Sequence, residues 1–430
     1  MRLASKLLTH SAVLDRTAEM LDRLLADYPK RDFQVRLWDG FSWGSDAHPR
    51  FTLFVKNPRA LEAICLTPSE LSLGESYVRG DFEIEGDIES AFDLAAYLLR
   101  QETPAGEPRT LLKHLLRLAA RDKSAKVIPF PTLSGRPHSR DRDRRAVTHH
   151  YDLPCEFYSL WLDSRMVYSC AYFPTGSENL EDAQQRKLEY LCRKLRLRRG
   201  DRLLDIGCGW GSLVMHAAAA HGAHAVGITL SQPQAEGAQR QIRALGLEDR
   251  CCVEVRDYRD LDSRLPYDKI VSVGMFEHVG ESKLPEYFQK AWELLRPGGV
   301  FLNHGISYSA TYRRRGPSFT DRYVFPDGEL VPLSTSLRAA EQCGFEVRDV
   351  ESLREHYALT LRHWLSRLES HSEEARRITS DATYRIYRLY LAGSAHAFRS
   401  GRLNVYQALL AKPARGEAGL PLTREDWYRA

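Results

Sequence analysis

The stretch Leu203–Gly211, L-L-D-I-G-C-G-W-G, concentrates the residue types that let a ligand approach backbone. A short apolar run closes on Asp205, Gly207, Gly209 and Gly211 then alternate, and Ser212–His221 has helical composition. That order predicts a strand, a tight turn and a helix start. Glycine has no Cβ and tolerates positive φ, so amides at the helix N-terminus can face a polar ligand. The spacing is not G-x-G-x-x-G and no G-K-[ST] follows, so neither the dinucleotide fingerprint nor a phosphate loop fits. Two later strand ends offer further polar groups. One reads G-I-T-L-S-Q-P-Q, with no acid, which leaves Thr229 and Gln234 to hydrogen-bond a ribose or an amino-acid group. The next brings Asp257, a carboxylate for an exocyclic amine, and Tyr258, an aromatic face for a ring. A ligand-free strand–helix turn and a packing role for Tyr258 stay open on the residues alone.

These groups need a sheet to hold them. Strand patterns at 202–206, 224–229, 251–255, 268–273 and 299–303 alternate with helical ones at 179–195, 212–221, 232–245 and 284–295. The alternation predicts a parallel α/β sheet with helices on both faces and a ligand at the carboxyl ends of its strands. Beyond 305 come a basic loop (Tyr312–Gly316), a helix near 334–343, a strand near 345–351, helical material over 358–398 and a last strand, Leu403–Leu410, completing the sheet. The first 100 residues predict a smaller α/β domain: helical spacing at Val13–Leu25 and Pro58–Ile64, and strands at Phe33–Leu37 and Phe51–Val55. Its glycine- and acid-rich segment Leu73–Leu94 offers carboxylates but no nucleophile beside them, which suits a structural or docking role.

The organisation expected is therefore an N-terminal domain at 1–100, a basic linker at 101–145, a catalytic domain at 146–415 and a tail at 416–430. Within the linker, Thr110–Asp122 places Leu111, Leu112, Leu115 and Leu116 on one side and Lys113, Arg117 and Arg121 on another. Such a helix either lies on an anionic bilayer or docks on its own protein with the charged face solvated. The S-R-D-R-D-R-R run at 139–145, after several prolines, predicts a mobile segment.

Composition excludes several classes. With 61 basic and 57 acidic residues the chain is not a dedicated nucleic-acid binder. The eight cysteines form no C-x-x-C pair, so neither a metal site nor a disulfide framework is expected, and reduced cytoplasmic thiols are. The start lacks an apolar signal core, and no run approaches the ~20 apolar residues that a membrane span needs.

Taken together, Y-S-C-A-Y-F (168–173), L-L-D-I-G-C-G-W-G (203–211), G-I-T-L-S-Q-P-Q (227–234), F-E-H-V-G (276–280), H-G-I-S (304–307) and H-Y-A-L-T-L-x-x-W (356–364) resemble, in order, the motifs of cyclopropane-fatty-acyl-phospholipid synthases and of the related mycolic acid cyclopropane synthases. The likeness covers about 145–412 strongly. It implies a class I methyltransferase, Rossmann-like catalytic domain using S-adenosylmethionine to add a methylene to a cis double bond of an unsaturated phospholipid acyl chain. A carbocation lies on that route, and a bicarbonate ion acts as base. By the same resemblance, Cys170, Glu277, His304, Ile306 and Tyr357 cradle the anion, with Glu277 orienting His304 and the Ile306 N–H among the donors. Tyr168 and Ser169 join Gly207, Gly209, Thr229, Gln234, Asp257 and Tyr258 as cofactor contacts, and Tyr168 and Phe173 present ring faces to the cation. A homodimer, peripherally attached to the inner face of the membrane, is also implied. One departure stands out: Y-L-A-G-S-A-H-A-F puts Ser394 where family members often carry cysteine. Serine is a poor nucleophile without a base, so Ser394 is expected to be dispensable. Competing readings are a methyl-branched or methylene product from the same cation, methylation of another small molecule or lipid, and a lipid-binding protein with a decayed site.

Overall fold

The described residues form a four-stranded and a seven-stranded sheet. The computed structural model describes residues 18–19, 21–45, 48–57, 59–61, 63–64, 69–100, 133–151, 153–312 and 318–428. The basic helix expected at 110–122 lies outside the described residues, as do most of the basic loop after Tyr312 and the first part of the helix expected at 13–25. Two compact units emerge. One gathers the described residues within Met1–Phe130, Arg315–Tyr323 and Asp381–His396, and the other those within Pro131–Arg314, Val324–Ser380 and Ala397–Ala430.

In the first unit, β1 (Phe33–Arg36), β2 (Ser42–Gly44), β3 (Phe51–Val55) and β4 (Phe82–Gly86) form a sheet in the order β2-β1-β3-β4. Phe33 and Phe51 sit opposite each other in the parallel β1–β3 register and stack at 5.1 Å. The glycine- and acid-rich segment resolves into a Glu70–Arg79 helix, β4 and an Ile88–Leu98 helix. Ser69 and Ser72 close a capping box on the first helix, Gly80 ends it in the left-handed conformation, and Asp87 caps the second. The acids have local work: Asp81 accepts from Ser76 and Arg79, and Glu83 pairs with Arg385 from the late Asp381–Arg399 helix. Arg388 of that helix donates to the Tyr77 hydroxyl at 2.8 Å and to the Ile84 carbonyl at 3.2 Å.

The second unit is built on strands β5 (Arg202–Ile206), β6 (His224–Thr229), β7 (Cys251–Val255), β8 (Tyr267–Val273), β9 (Leu295–Tyr308), β10 (Glu346–Ser352) and β11 (Leu403–Ala411). Their order is β10-β11-β9-β8-β5-β6-β7. Both faces are buried. Leu203 packs with Val214, Ala217 and Ala238 on one side, and its neighbour Leu204 with Ile270, Phe288 and Leu294 on the other. Each strand alternates sides with period two, so adjacent leucines serve opposite helix layers.

The sheet departs from the expected parallel form at β11, which runs antiparallel to both β9 and β10. That pairing extends from Val300 to Tyr308 and explains why β9 runs well past the expected 299–303. A second correction concerns 139–145, which is not a mobile segment but the start of an Arg140–Tyr151 helix. Asp141 and Asp143 occupy its first turn, where the helix dipole favours anions. Three of its four arginines find acceptors: Arg142 grips Asp327 with two nitrogens, Arg145 donates to the Ser134 carbonyl at 2.7 Å, and Arg140 pairs with Asp260 at 2.6 Å. Among the described residues, no helix is long and apolar enough to cross a membrane.

Candidate active site

The chain leaves β5 toward β6 and β7 on one side and returns to β8 on the other. The turn after β5 therefore opens at the point where strand order reverses. Gly207, Gly209 and Gly211 all have positive φ, at 84°, 55° and 79°. They serve different ends. A Cβ on Gly207 would lie 2.7 Å from the Met275 Cβ, and one on Gly211 3.1 Å from the Ala238 Cβ, whereas one on Gly209 would meet nothing within 4 Å. Gly207 and Gly211 thus permit packing, and Gly209 borders open space. The Gly207 and Cys208 amides donate to the Ile228 carbonyl at 2.9 and 3.0 Å, which ties the turn to β6.

That open space is a cleft of about 1230 Å³, solvent mouth included, and all eight residues assigned to cofactor contact line it. Ser169 Oγ accepts from the Lys187 ammonium at 2.8 Å. The Thr229 hydroxyl donates to Gln234 Oε1 at 2.8 Å, so these two side chains position each other. Asp257 holds Arg259 with both carboxylate oxygens, at 2.9 and 2.7 Å. Burial works against its ionised form, but the Arg259 contacts outweigh it and keep the carboxyl below its ordinary value. Tyr258 meets the Tyr287 ring edge-on at 5.6 Å. Tyr168 packs with His150, Trp161 and Trp364 at centroid distances of 5.7, 5.2 and 5.3 Å. Phe173 instead stacks on His363 at 5.6 Å.

Sequence reasoning missed three lining residues of consequence. Lys187 is buried on the Leu180–Lys194 helix, and burial, resisted by Asp163, Cys170 and Asp205, lowers its pKa to about 8. A lysine on the apolar face of an amphipathic helix was a visible signal. Asp205, the acid that closes β5, is buried with Oδ1 unpartnered, and burial raises it to about 7 despite Lys187. Met166 adopts φ 59°, fixed by its N–H on the Asp163 carbonyl and by the Asp163 carboxylate on the Val167 N–H at 2.8 Å. No sequence pattern announces that turn. The donor-seeking Asp205 oxygen, the open flank of Gly209 and the paired Thr229 and Gln234 fit a ligand that carries an ammonium, hydroxyls and an adenine.

The five residues assigned to the anion cradle lie outside the lining of that cleft. They form two groups. Glu277, in a helical turn after β8, accepts the Ile306 N–H on Oε1 at 2.7 Å, and its Oε2 is buried without a partner. Burial raises its pKa to about 7. His304 sits opposite Gln407 in the β9–β11 register, and Gln407 Nε2 lies 3.2 Å from His304 Nδ1. Read with that amide as donor, the ring proton is on Nε2. Burial, helped by Lys187 and Lys194, holds His304 near 3, so the ring is neutral. In the second group, the Cys170 thiol lies 3.7 Å from the Leu353 carbonyl, which also accepts the Tyr357 N–H at 3.0 Å. Burial pushes the Cys170 thiol well up, so it stays protonated. Two expectations change: Gln407, not Glu277, is His304's ring partner, and the Ile306 N–H is already spent on Glu277. Register explains both, because β11 presents Gln407 to His304 while Glu277 reaches β9 at Ile306. The set still suits a small anion. A carboxyl that holds its proton near neutrality, a neutral imidazole and a protonated thiol are donors, and the unpartnered Glu277 oxygen needs a partner.

The sequence profile of the mycolic acid cyclopropane synthetase family matches residues 138–408, and a domain of unknown function, DUF7884, matches 20–102. A probable fatty acid methyltransferase of Pseudomonas putida is 42% identical over 92% of this chain and 96% of its own length. The cyclopropane-fatty-acyl-phospholipid synthase of Escherichia coli is 33% identical over 86% of this chain and 90% of its own. Among solved structures, the cyclopropane synthase MmaA2 of Mycobacterium tuberculosis superposes with a TM-score of 0.60 at 34% identity, covering 62% of this chain and 97% of that one. The mycolic acid cyclopropane synthase CmaA1, complexed with SAH and CTAB, superposes at 0.59 and 34% identity, again over 62% of this chain and 97% of that one. A cleft built by a glycine turn at the switch point of a class I sheet, in a chain matched over most of its length by such relatives, places this protein in the mycolic acid cyclopropane synthetase family of S-adenosylmethionine-dependent methyltransferases.

Proposed function

We propose that the enzyme modifies the cis double bond of unsaturated phospholipid acyl chains and closes a cyclopropane ring there. S-adenosylmethionine supplies the methyl group, and a bicarbonate ion bound between Glu277, His304, Cys170 and Tyr357 supplies the base. The chain's own residues bind, orient and exclude water. An alkene is a weak nucleophile with no proton to remove, so rate must come from alignment and from tolerance of developing positive charge. The observation that carries the reading is the Glu277 carboxyl, buried, unpartnered at Oε2 and poised near neutrality. It can hold a proton against a small anion and exchange it as the ring closes. A second reading, a methyl-branched or methylene product from the same cation, is supported by relatives named fatty acid methyltransferase and tuberculostearic acid methyltransferase.

The substrate is reached at a membrane surface, with the basic stretch 110–122 attracted to anionic headgroups, and the active form is a homodimer. The deciding experiment is mass spectrometry of phospholipid acyl chains from cells with and without the protein, supplied with methyl-deuterated methionine. A gain of one methylene that keeps two deuteriums, with the ring located by fragmentation, is the expected result. Three retained deuteriums would establish methyl branching, and unlabelled lipid would remove acyl chains as the acceptor.

A further inference from the structure

Away from the cleft, the Leu180–Lys194 and Ser212–His221 helices bring three side chains of metal-ligating type together, Cys192, His216 and His221, with a fourth, Glu189, hydrogen-bonded to both imidazoles. Cys192 and Glu189 lie three residues apart on one helix, and His216 and His221 on the other. The Cys192 sulfur and one nitrogen from each imidazole lie within 4.8 Å of one another. Glu189 Oε2 is 3.1 Å from His216 Nε2 and 3.0 Å from His221 Nε2, so both rings converge on one carboxylate oxygen. For metal–nitrogen and metal–oxygen bonds of ~2.0–2.1 Å, a tetrahedron has edges of about 3.3 Å. The two imidazole–carboxylate spacings are near that edge, and the sulfur is the atom that must close in.

We propose that Cys192, His216, His221 and Glu189 form a binding site for a zinc-type divalent cation that fastens these two helices together. The donor set decides the class of metal. One thiolate, two imidazoles and one carboxylate suit Zn²⁺, whereas Ca²⁺ and Mg²⁺ take oxygen ligands. Supporting contacts are in place. Arg193 Nε donates to Glu189 Oε1 at 2.9 Å and leaves Oε2 for the site, in the manner of an outer-shell partner. Cys192 is fully buried, while Glu189 and His221 are partly exposed and give a route from solvent. Binding releases the Cys192 thiol proton to water and moves the ring protons of both histidines from Nε2 to Nδ1, so the cation gains three neutral-or-anionic donors beside the existing carboxylate. Four protein ligands leave no open position, which makes the site structural. Its consequence is local: one helix carries Lys187, and the other starts at the glycine turn.

The test uses the full-length protein, stripped with a chelator and titrated with Zn²⁺ and, as a spectroscopic probe, Co²⁺. The expected result is one ion per chain, a raised unfolding temperature with Zn²⁺, and a sulfur-to-cobalt charge-transfer band with Co²⁺. Cys192→Ser should abolish that band. His221→Asn, at the more exposed of the two histidines, should weaken Zn²⁺ by about tenfold or more while leaving far-ultraviolet circular dichroism unchanged. If Cys192→Ser does not fold, the His221→Asn titration decides alone. The proposal is overturned by sub-stoichiometric binding, by a cobalt complex without the thiolate band, or by equal affinity in wild type and His221→Asn.

Discussion

Glu277→Gln separates the buried carboxyl's charge from its shape. Glutamine can keep the Oε1 acceptor for the Ile306 N–H, which Glu277 receives at 2.7 Å, and loses only the ionisable group. In the native protein burial raises this carboxyl from the ordinary 4.5 to about 7. Below pH 4.5 the folded and unfolded chains both hold the proton, so the group is neutral to stability. Between 4.5 and about 7 the unfolded chain has released it and the folded chain has not. The native state then binds more protons, and stability falls by about 1.4 kcal/mol per pH unit, some 3 kcal/mol in all. Above the folded value both are ionised and the loss is complete. Asp205 carries a similar slope, but it is present in both proteins and cancels. The assay is urea unfolding of wild type and variant from pH 4.5 to 8, followed by tryptophan fluorescence, to which five of the seven tryptophans, Trp161, Trp210, Trp292, Trp364 and Trp427, contribute from the catalytic unit. The variant should gain on wild type by about 3 kcal/mol across that range, whatever constant offset its amide adds. A difference that stays flat within about 1 kcal/mol, or that shrinks with rising pH, would refute a carboxyl held protonated by burial.

Three further outcomes follow from the geometry. Gly207→Ala should lower unfolding free energy by about 2–4 kcal/mol, from a forced left-handed alanine and the Met275 clash, while Gly209→Ala should cost only ~1–2 kcal/mol and show its main loss in S-adenosylmethionine affinity by calorimetry. Lys187→Met removes the donor to Ser169 and a cation that lowers Asp205, so cofactor affinity should fall about tenfold or more while the fold persists; unchanged affinity would show that Lys187 is only a buried structural charge. Ser394→Ala should turn over at the wild-type rate, and a thousandfold loss, roughly 4 kcal/mol in barrier, would make the serine essential after all.

What could be read from the sequence was local. The glycine turn, its strand and its helix carry their own instructions, and strand ends on one side of a parallel sheet must meet, so Thr229, Gln234, Asp257 and Tyr258 were found together. What could not be read depends on partners far along the chain. Gln407 reaches His304 only because β11 inserts between β9 and β10. Arg385 and Arg388 complete a unit whose sheet ends some 300 residues earlier. The run at 139–145 reads as mobile because the acceptors of Arg142 and Arg140, Asp327 and Asp260, are equally remote. Cys192, His216 and His221 show no metal spacing because two helices supply them.

Five ionisable groups of the cleft and of the anion cradle share a direction that bears on the chemistry, whereas Asp257 is held below its ordinary value by Arg259. Burial lifts Asp205 and Glu277 to about 7, keeps the Cys170 thiol protonated, holds His304 near 3 and brings Lys187 down to about 8. Each shift disfavours the charged form. A route through a carbocation fails if a thiolate or free carboxylate lies within reach, since either would trap the cation before a proton is lost. Burial that keeps the thiol protonated and raises the Glu277 and Asp205 carboxyls works against that trap, and aromatic faces stabilise positive charge without forming a bond. On this argument a more ionised site is a worse catalyst even if it binds its ligands better. Replacing Cys170 by serine, which removes the buried thiol but keeps a donor, should then leave the product the same as the wild type's. A variant that instead accumulates a covalently alkylated protein, seen by intact mass, would show that nucleophiles are not being held in check.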